Sequence, residues 1–303
     1  MKILVTGASG FIGGAICDQL LAKGHDLIGL HGHARADDAK RPYRVIVADI
    51  GDIAAIKRLS EEIDPCDAII HAAAALNNGL FALEVISANC QGVQNMLWLA
   101  LQWHSSHFVF LSGVPVIGKP QILPIDEEHP TRPETAYHAS KLFGEQLVRL
   151  AALQGLNAVS LRVPAPVGPG IPENRLLTVL VRRSLNNETI ELAGQGSRQQ
   201  NYIDVCDIAR AAELCLENQV SGEFNIASTS CISNLDLAHR CIERCHSKSE
   251  IVFNGRTDAE EGYIWDVSIE KARKELGFIP QYTIDMAIDA AIAGLQEDGY
   301  QTA

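Results

Sequence analysis

The sequence predicts an α/β protein with a doubly wound parallel sheet, in which helices cover both faces of the strands. Two observations support this fold class. Short runs of β-branched and other apolar residues, bounded by turn-forming residues, alternate with longer amphipathic segments through the first half of the chain. The apolar runs are continuous, as expected for strands that are buried on both faces. This alternation is typical of β-α-β units.

The elements of this first unit can be placed by residue number. We predict strands over residues 3–5, 26–30, 44–47, 68–71, 107–111 and 158–163. We predict helices over residues 11–23, 53–63, 85–101 and 136–153. Together they form a predicted domain of residues 1–163.

A second unit is predicted for residues 164–303, a smaller C-terminal α/β region that mainly binds substrate and from which the chain can cross back to the sheet. The boundary is marked by residues 164–172, which contain four prolines and two glycines and interrupt the repeat. Beyond it we predict helices over 175–185, 207–217, 269–276 and 285–295, and a strand over 201–205.

Composition excludes several classes of protein. The 303 residues are 47% hydrophobic and 20% charged, as in ordinary globular domains. A net charge of -12 argues against nucleic acid or anionic lipid as a partner, and every apolar run is too short to span a membrane. Because Met1 leads directly into the first strand, we expect no signal peptide and a cytoplasmic protein.

The eight cysteines suggest neither disulfides nor a metal site. They have no paired short spacings, so we expect reduced thiols. His239, Cys241, Cys245 and His246 lie close together, but no second ligand pair accompanies them. We therefore predict no bound metal.

A glycine-rich turn follows the first strand. Residues 6–13 read Thr-Gly-Ala-Ser-Gly-Phe-Ile-Gly, between an apolar strand and a predicted helix. In this context the first glycine permits a sharp turn, the second lets the backbone approach a pyrophosphate, and the third allows close packing of helix on strand. The motif predicts a Rossmann-type dinucleotide site that includes Gly7, Ser9, Gly10, Phe11, Ile12 and Gly13.

The end of the second strand bears on the choice of dinucleotide. A carboxylate there hydrogen-bonds the adenosine ribose of NAD but repels the extra phosphate of NADP. In this sequence Leu30 is followed by His31 and, after a short loop, by Arg35, which are neutral or basic. We therefore favour NADP over NAD as the cofactor. Asp49 and Ile50, after the third strand, are predicted to contact the adenine, and the alternative for Asp49 is a helix cap.

Tyr137 and Lys141 are candidates for proton chemistry. They are four residues apart on a predicted helix, so both side chains lie on one face. A phenol with a pKa near 10 is a poor base at neutral pH, and lowering the pKa by about three units requires roughly 4 kcal/mol of preferential stabilisation of the anion. The Lys141 ammonium, beside a bound nicotinamide cation, is suited to supply it.

These motifs together resemble the extended short-chain dehydrogenase/reductases, the superfamily of nucleotide-sugar epimerases, dehydratases and reductases. The resemblance covers nearly the whole chain. The stretches that carry it are residues 6–13, 49–50, 71–74, 89–95, 137–141, 164–170 and 276–280.

The resemblance implies roles for individual residues. Tyr137 would be the general acid or base, and Lys141 would lower its pKa while binding the nicotinamide ribose. Further residues would line the cofactor, namely Ala72, Ala73, Ala74, Asn89 and Pro164. A homodimer, with helices around residues 85–103 and 136–153 at the interface, is also implied and is testable by light scattering.

One family feature is missing from this sequence. The family places a Ser or Thr ahead of a Val-Tyr-Gly sequence to hydrogen-bond the reacting oxygen, and that position is Gly113 here. Ser112, one residue earlier, would replace it only if the loop after the strand bends differently. Family dehydratases also carry an Asp-Glu pair beside the hydroxyl, whereas residues 112–118 contain no acid. A 4,6-dehydratase is therefore not expected.

The substrate side also departs from the family pattern. The family's arginine against the nucleotide diphosphate falls on Gln200, and Arg198 lies two residues earlier, on the same side of an extended strand. We predict that Arg198 contacts a nucleotide-sugar substrate, with a solvated surface arginine as the alternative.

Three functions remain open from the sequence. We favour reduction of a keto sugar, because NADP suits net reduction. A nucleotide-sugar 4-epimerase with tightly bound NAD is the first alternative. A cofactor-binding protein with little or no catalysis is the second, motivated by Gly113 and opposed by the intact Tyr137 and Lys141.

Overall fold

The structure is a computed structural model that describes residues 1–77 and 79–297. The strands are β1 (Lys2–Thr6), β2 (Asp26–His31), β3 (Arg44–Val47), β4 (Ala68–His71), β5 (His107–Gly113), β6 (Asn157–Val163), β7 (Ala165–Val167), β8 (Ile190–Leu192), β9 (Gln199–Asp204), β10 (Gly222–Asn225), β11 (Cys231–Ser233) and β12 (Ile251–Phe253). The helices are α1 (Phe11–Ala22), α2 (Ile53–Glu62), α3 (Gly92–Gln102), α4 (Ala136–Ala152), α5 (Leu176–Leu185), α6 (Val205–Glu217), α7 (Asn234–Arg244), α8 (Glu270–Leu276) and α9 (Ile284–Glu297).

The predicted fold class is confirmed. Within the described residues, the central sheet has seven parallel strands in the order β10-β6-β5-β4-β1-β2-β3. One apolar cluster lies between the sheet and the α1 and α6 layer, and another lies between the sheet and α2, α3 and α4. The strand order reverses at β1 and β4, the place where open α/β sheets bind ligands.

The second unit is interleaved with the first. β10 pairs with β6 at the edge of the central sheet, and α6 packs against α1, although both elements follow residue 163. The rest of this unit contains the sheets β11-β9-β7 and β12-β8 and an apolar cluster between α5, α7 and α9. The division at residue 163 remains a prediction, but the crossing back to the sheet is seen directly.

One predicted helix differs in the structure. We expected a single α-helix over residues 85–101, whereas Val85–Gln91 is a π-helix that continues into α3. The wider turn contains Asn89, whose carboxamide donates to the Ala75 carbonyl and accepts from the Ala75 amide. Interruptions of this kind are common at functional sites.

Two neighbouring glycines test how α1 is held on β1. A Cβ at Gly13 would lie 2.1 Å from the Gly7 carbonyl oxygen, whereas a Cβ at Gly14 would have the Ala8 carbonyl oxygen at 3.7 Å as its nearest neighbour. We expect Gly13→Ala to lower the free energy of unfolding by about 1–3 kcal/mol, because the backbone must move. Gly14→Ala is the matched control and should be neutral or stabilising by up to about 1 kcal/mol. Urea unfolding measures both, and equal effects would contradict this packing.

Candidate active site

The glycine turn between β1 and α1 forms one wall of a cavity of about 400 Å³. Gly7 has a φ of +66°, and its amide donates to the Leu30 carbonyl at 3.0 Å. A Cβ at Gly7 would lie 2.8 Å from the backbone of Ala73, so only glycine permits this approach. The first amides of α1 point away from the helix without intrahelical partners. The residues present therefore fit a dinucleotide, whose pyrophosphate would be held at this turn.

Most of the predicted cofactor residues surround this one cavity. Ser9 lies outside it, on the outer side of the turn, and Ala73 is held back by an amide hydrogen bond to the Thr6 hydroxyl at 3.2 Å. The predicted residues that line the cavity are Gly7, Gly10, Phe11, Ile12, Gly13, Ala72, Ala74, Ser112, Tyr137, Lys141 and Pro164.

The end of β2 differs from the sequence prediction. His31 is buried, and its Nδ1 lies 2.9 Å from Oδ1 of Asp38. The Arg35 amide donates to Asp38, its Nε lies 3.6 Å from Asp37, and its Nη1 donates to the Ser9 carbonyl at 3.3 Å. The expectation that no carboxylate lies at this strand end is therefore wrong. The loop after β2 folds back and places Asp38 beside His31 and Asp37 beside Arg35.

Asp49 and Ile50 lie between β3 and α2. The Asp49 carboxylate accepts from the Gly51 amide at 2.8 Å, and the buried Ile50 offers its carbonyl to the Asn95 side chain at 2.7 Å. The cap of α2 is Asp52, which accepts from the amide of Ala54. The helix-cap alternative for Asp49 is therefore wrong, and adenine contact stays a prediction.

Asn89 connects the loop after β4 to α4. Its side chain is buried, and its Nδ2 donates to the Ser140 hydroxyl at 2.9 Å. Ser140 in turn donates to the Tyr137 carbonyl at 2.7 Å. Asn89 therefore fixes the first turn of α4, and its predicted contact with cofactor remains untested.

Tyr137 and Lys141 lie on one face of α4, against the end of β5. The Lys141 ammonium is buried, donates to the Leu111 carbonyl at 2.7 Å and lies 5.8 Å from the centre of the Tyr137 ring. Burial raises the pKa of Tyr137 to about 12, an effect that the Arg175 guanidinium partly offsets. Burial also lowers the pKa of Lys141 to about 8. Without a dinucleotide, the phenol is therefore protonated at neutral pH.

The Ser112 hydroxyl is hydrogen-bonded to the buried ion pair of Glu145 and Arg162. Its hydroxyl donates to Oε1 of Glu145 at 2.6 Å, and Arg162 donates to both carboxylate oxygens, at 3.0 and 2.8 Å. The side chains of the pair are 0% and 5% exposed. The predicted substitution of Ser112 for the missing hydroxyl therefore does not fit, because its proton points to Glu145. A Cβ at Gly113 would meet only ordinary contacts at 3.5 and 3.6 Å, so sterics do not require glycine there.

The predicted substrate arginine is already paired. The Arg198 guanidinium lies 3.4 Å from Asp258 and 3.2 Å from Glu260. Gln200, in the family's arginine position, has a buried side-chain oxygen without a hydrogen-bond partner among the described residues. The positive charge expected at this strand is thus largely neutralised.

Sequence reasoning missed three residues of this site. Glu145 lies one helical turn after Lys141, and that spacing could have indicated a second buried polar group on the same face. His138 and Arg175 line the cavity, but nothing in the local pattern around either residue distinguishes it. Their position depends on how α4 and the start of α5 meet in the fold.

Neither a metal-binding cluster nor a membrane-spanning helix is found among the residues that the structure describes. In the part of the chain that the structure describes, no three His, Cys, Asp or Glu side chains are grouped to hold a metal ion. No helix among residues 1–77 and 79–297 has the length and apolarity needed to cross a membrane.

The ion pair can be tested by a double-mutant cycle. Arg162→Met leaves Glu145 charged and unpaired in the core, so we expect a loss of about 3–5 kcal/mol in the free energy of unfolding. Glu145→Met should behave similarly, whereas the double variant should lose much less than the sum of the two. Urea unfolding of the three variants measures the coupling, and additive losses would contradict a paired network.

Comparisons with known proteins agree with the geometry. The sequence model of the NAD dependent epimerase/dehydratase family matches residues 3–227. The UDP-glucose 4-epimerase of Corynebacterium glutamicum is 29% identical and covers 93% of this chain and 92% of its own. The dTDP-4-dehydro-6-deoxy-D-allose reductase of Streptomyces bikiniensis is 29% identical over 78% of each chain. The structure of the UDP-glucose 4-epimerase of Thermus thermophilus with NAD has a TM-score of 0.84 at 23% identity and covers 99% of this chain and 100% of its own.

The cofactor turn, the Tyr137 and Lys141 pair and the parallel sheet occur together in a chain that the family model matches over most of its length. The chain therefore belongs to the NAD dependent epimerase/dehydratase family, enzymes of the extended short-chain dehydrogenase/reductase superfamily.

Proposed function

We propose that this chain interconverts the C4 epimers of a UDP-linked hexose with NAD as its cofactor. The observation that carries the proposal is that Tyr137 and Lys141 line the same cavity as the glycine turn. Among the described residues, no carboxylate side chain lines that cavity, which favours reversible oxidation at one carbon over elimination of water. The name of the Corynebacterium glutamicum relative supports the substrate class.

Tyr137 is the proton-transfer group of the proposed reaction. As phenolate it takes the proton of the sugar hydroxyl while the carbon is oxidised, and as phenol it returns a proton to the oxygen when the carbon is reduced from the other face. Bound NAD supplies the hydride acceptor and a positive charge near the phenol. Because burial raises the pKa of Tyr137 to about 12, the phenolate forms readily only after the cofactor site is filled.

Reduction of a keto sugar is the second candidate. The raised pKa of Tyr137 favours it, because a protonated phenol is the form that donates a proton to a new alkoxide. The same residues serve both reactions, and one relative carries the name of a reductase. We place it second because the comparisons do not support the NADP preference on which it depended.

NAD is the proposed cofactor for a structural reason as well. Arg35 is the residue best placed to meet a 2′-phosphate, but its Nε lies 3.6 Å from Asp37, a carboxylate that also pairs with Arg41 at 2.5 Å. Asp38 accepts from the Arg35 backbone amide and so lies on the same loop. A phosphate bound there would approach both carboxylates, whereas a ribose hydroxyl would find acceptors. The loop at the end of β2 therefore suits NAD better than NADP.

A homodimer through the π-helix, α3 and α4 remains part of the proposal. Four large apolar side chains on the π-helix, on α4 and directly after α4 are exposed and would be covered by a second copy. They are Ile86, Phe143, Leu150 and Leu153.

The cofactor proposal predicts the effect of two substitutions. Wild-type protein should bind NADH more tightly than NADPH. Asp37→Asn should raise the NADPH affinity about tenfold, because it removes the carboxylate that pairs with Arg41 and lies beside Arg35, and so lets Arg35 form a charge-assisted contact worth about 1.5–3 kcal/mol. Arg35→Ala is the matched control and should weaken NADPH alone. Calorimetric titration measures both, and tighter binding of NADPH by wild-type protein would contradict the proposal.

The reaction itself can be followed by NMR. Wild-type protein with NAD should convert UDP-glucose to UDP-galactose. Tyr137→Phe should lower kcat by about 10²–10⁴-fold and leave NAD affinity nearly unchanged, because the glycine turn and Lys141 are intact. Unchanged UDP-glucose with wild-type protein would refute the epimerase, and consumption of NADH with a 4-keto sugar would then favour the reductase. Equal activity of the Tyr137→Phe variant would refute the acid–base role.

A further inference from the structure

We propose that His138 is a catalytic residue that donates a hydrogen bond to the reacting oxygen, beside Tyr137. It fills the place that the family gives to a hydroxyl at position 113, where this chain has glycine. The inference rests on the proposed function for the nature of the substrate, a sugar with an oxygen at the carbon that is oxidised or reduced. The geometry that carries it is that of the cavity around Tyr137.

Few polar side chains in the cavity are free to bind the reacting oxygen. Among the described residues that line it, the polar side chains are those of Ser112, Tyr137, His138, Lys141 and Arg175. The Ser112 proton is donated to Glu145, and the Lys141 ammonium is buried and donates to the Leu111 carbonyl. Arg175 is exposed, at the start of α5. Tyr137, His138 and the exposed Arg175 are therefore left to contact a bound substrate, and of these Tyr137 and His138 lie side by side on α4.

His138 lies beside the phenol of Tyr137. Its backbone amide donates to the Thr135 hydroxyl, which caps α4, at 3.1 Å. Its ring lies edge-on to the Tyr137 ring, with centroids 5.4 Å apart. Within the described residues, the imidazole itself makes no hydrogen bond. A half-buried imidazole in this position has a ring N–H available for a ligand.

The charges around His138 keep it neutral at physiological pH. Burial lowers its pKa, and the Glu260 carboxylate, on the loop before α8, offsets only part of this effect. The other charged or titratable groups at the cavity are Tyr137 and Lys141 on the same helix and Arg175 at the start of α5. A neutral imidazole can donate a hydrogen bond here without adding a second cation beside Lys141.

In the proposed step Tyr137 transfers the proton and His138 keeps its own. When the substrate carbonyl carbon gains a hydride, its oxygen becomes an alkoxide and takes the phenolic proton of Tyr137. The N–H of His138 stays on the ring and stabilises the negative charge that develops on the same oxygen. In the reverse direction the phenolate takes the hydroxyl proton, and His138 again only donates. One such donor is worth about 10²–10³ in kcat.

Turnover of UDP-glucose by four variants gives the first test. His138→Phe should lower kcat about 100-fold with little change in KM, and His138→Gln, which keeps an N–H donor, should recover at least tenfold of that loss. The double variant Gly113→Ser/His138→Phe should also recover at least tenfold, because a Cβ at position 113 meets only ordinary contacts. His239→Gln, on the exposed surface of α7, is the matched control and should leave kcat unchanged. Equal losses in the Phe and Gln variants with no rescue by serine would overturn the proposal.

A second measurement needs no turnover. In protein with ¹³C-labelled histidine, the resonance absent from the His138→Gln spectrum should titrate below pH 6.5. It should also shift when NAD is added and again when UDP-glucose is added, while the His239 resonance stays in place. A His138 resonance that ignores both additions overturns the proposal. If wild-type protein leaves UDP-glucose unchanged, the proposed function fails, and the response of His138 to NAD decides this inference separately.

Discussion

The buried ion pair between Glu145 and Arg162 is the constraint on which the active site depends. Glu145 lies on α4 and Arg162 on β6, and the Ser112 hydroxyl brings the end of β5 to the same carboxylate. The pair therefore fixes α4 against both strands, one helical turn beyond Lys141. Since Tyr137, His138 and Lys141 all lie on α4, this contact, together with that of Asn89 to Ser140 in the first turn, sets their position over the cavity. The desolvation of both charges is offset only while the partners stay together.

Without a bound cofactor, burial favours the neutral forms of Tyr137 and Lys141. Burial raises the pKa of Tyr137 and lowers that of Lys141, so each side chain favours its neutral form more than it does in water. A nearby positive charge favours the phenolate, which links formation of the base to occupancy of the cofactor site. Such coupling limits proton transfer to the loaded enzyme.

The sequence allowed prediction of those features whose cause is local. The continuous apolar runs located the strands β1 to β6 to within two residues at each end, and the turn at Gly7 and the spacing of Tyr137 and Lys141 indicated the cavity walls. Features that depend on distant contacts were missed. β10 was not predicted, because it is short and its polar side chains have remote partners, such as Asn225, whose side chain donates to the Ile125 carbonyl at 3.1 Å. The loop that returns Asp38 to His31 likewise has no periodic signal.

The contacts of Ser112 explain why it does not replace the hydroxyl that the family places at position 113. A buried carboxylate has room for several donors, and the Ser112 hydroxyl completes the set that Arg162 begins around Glu145. Turning that hydroxyl towards the cavity would leave the carboxylate short of a donor at a depth where water cannot replace it, and each such loss costs about 1–3 kcal/mol. The network that positions α4 therefore also removes Ser112 from the chemistry. Any second donor to the reacting oxygen must come from a side chain outside the network, and α4 itself presents one.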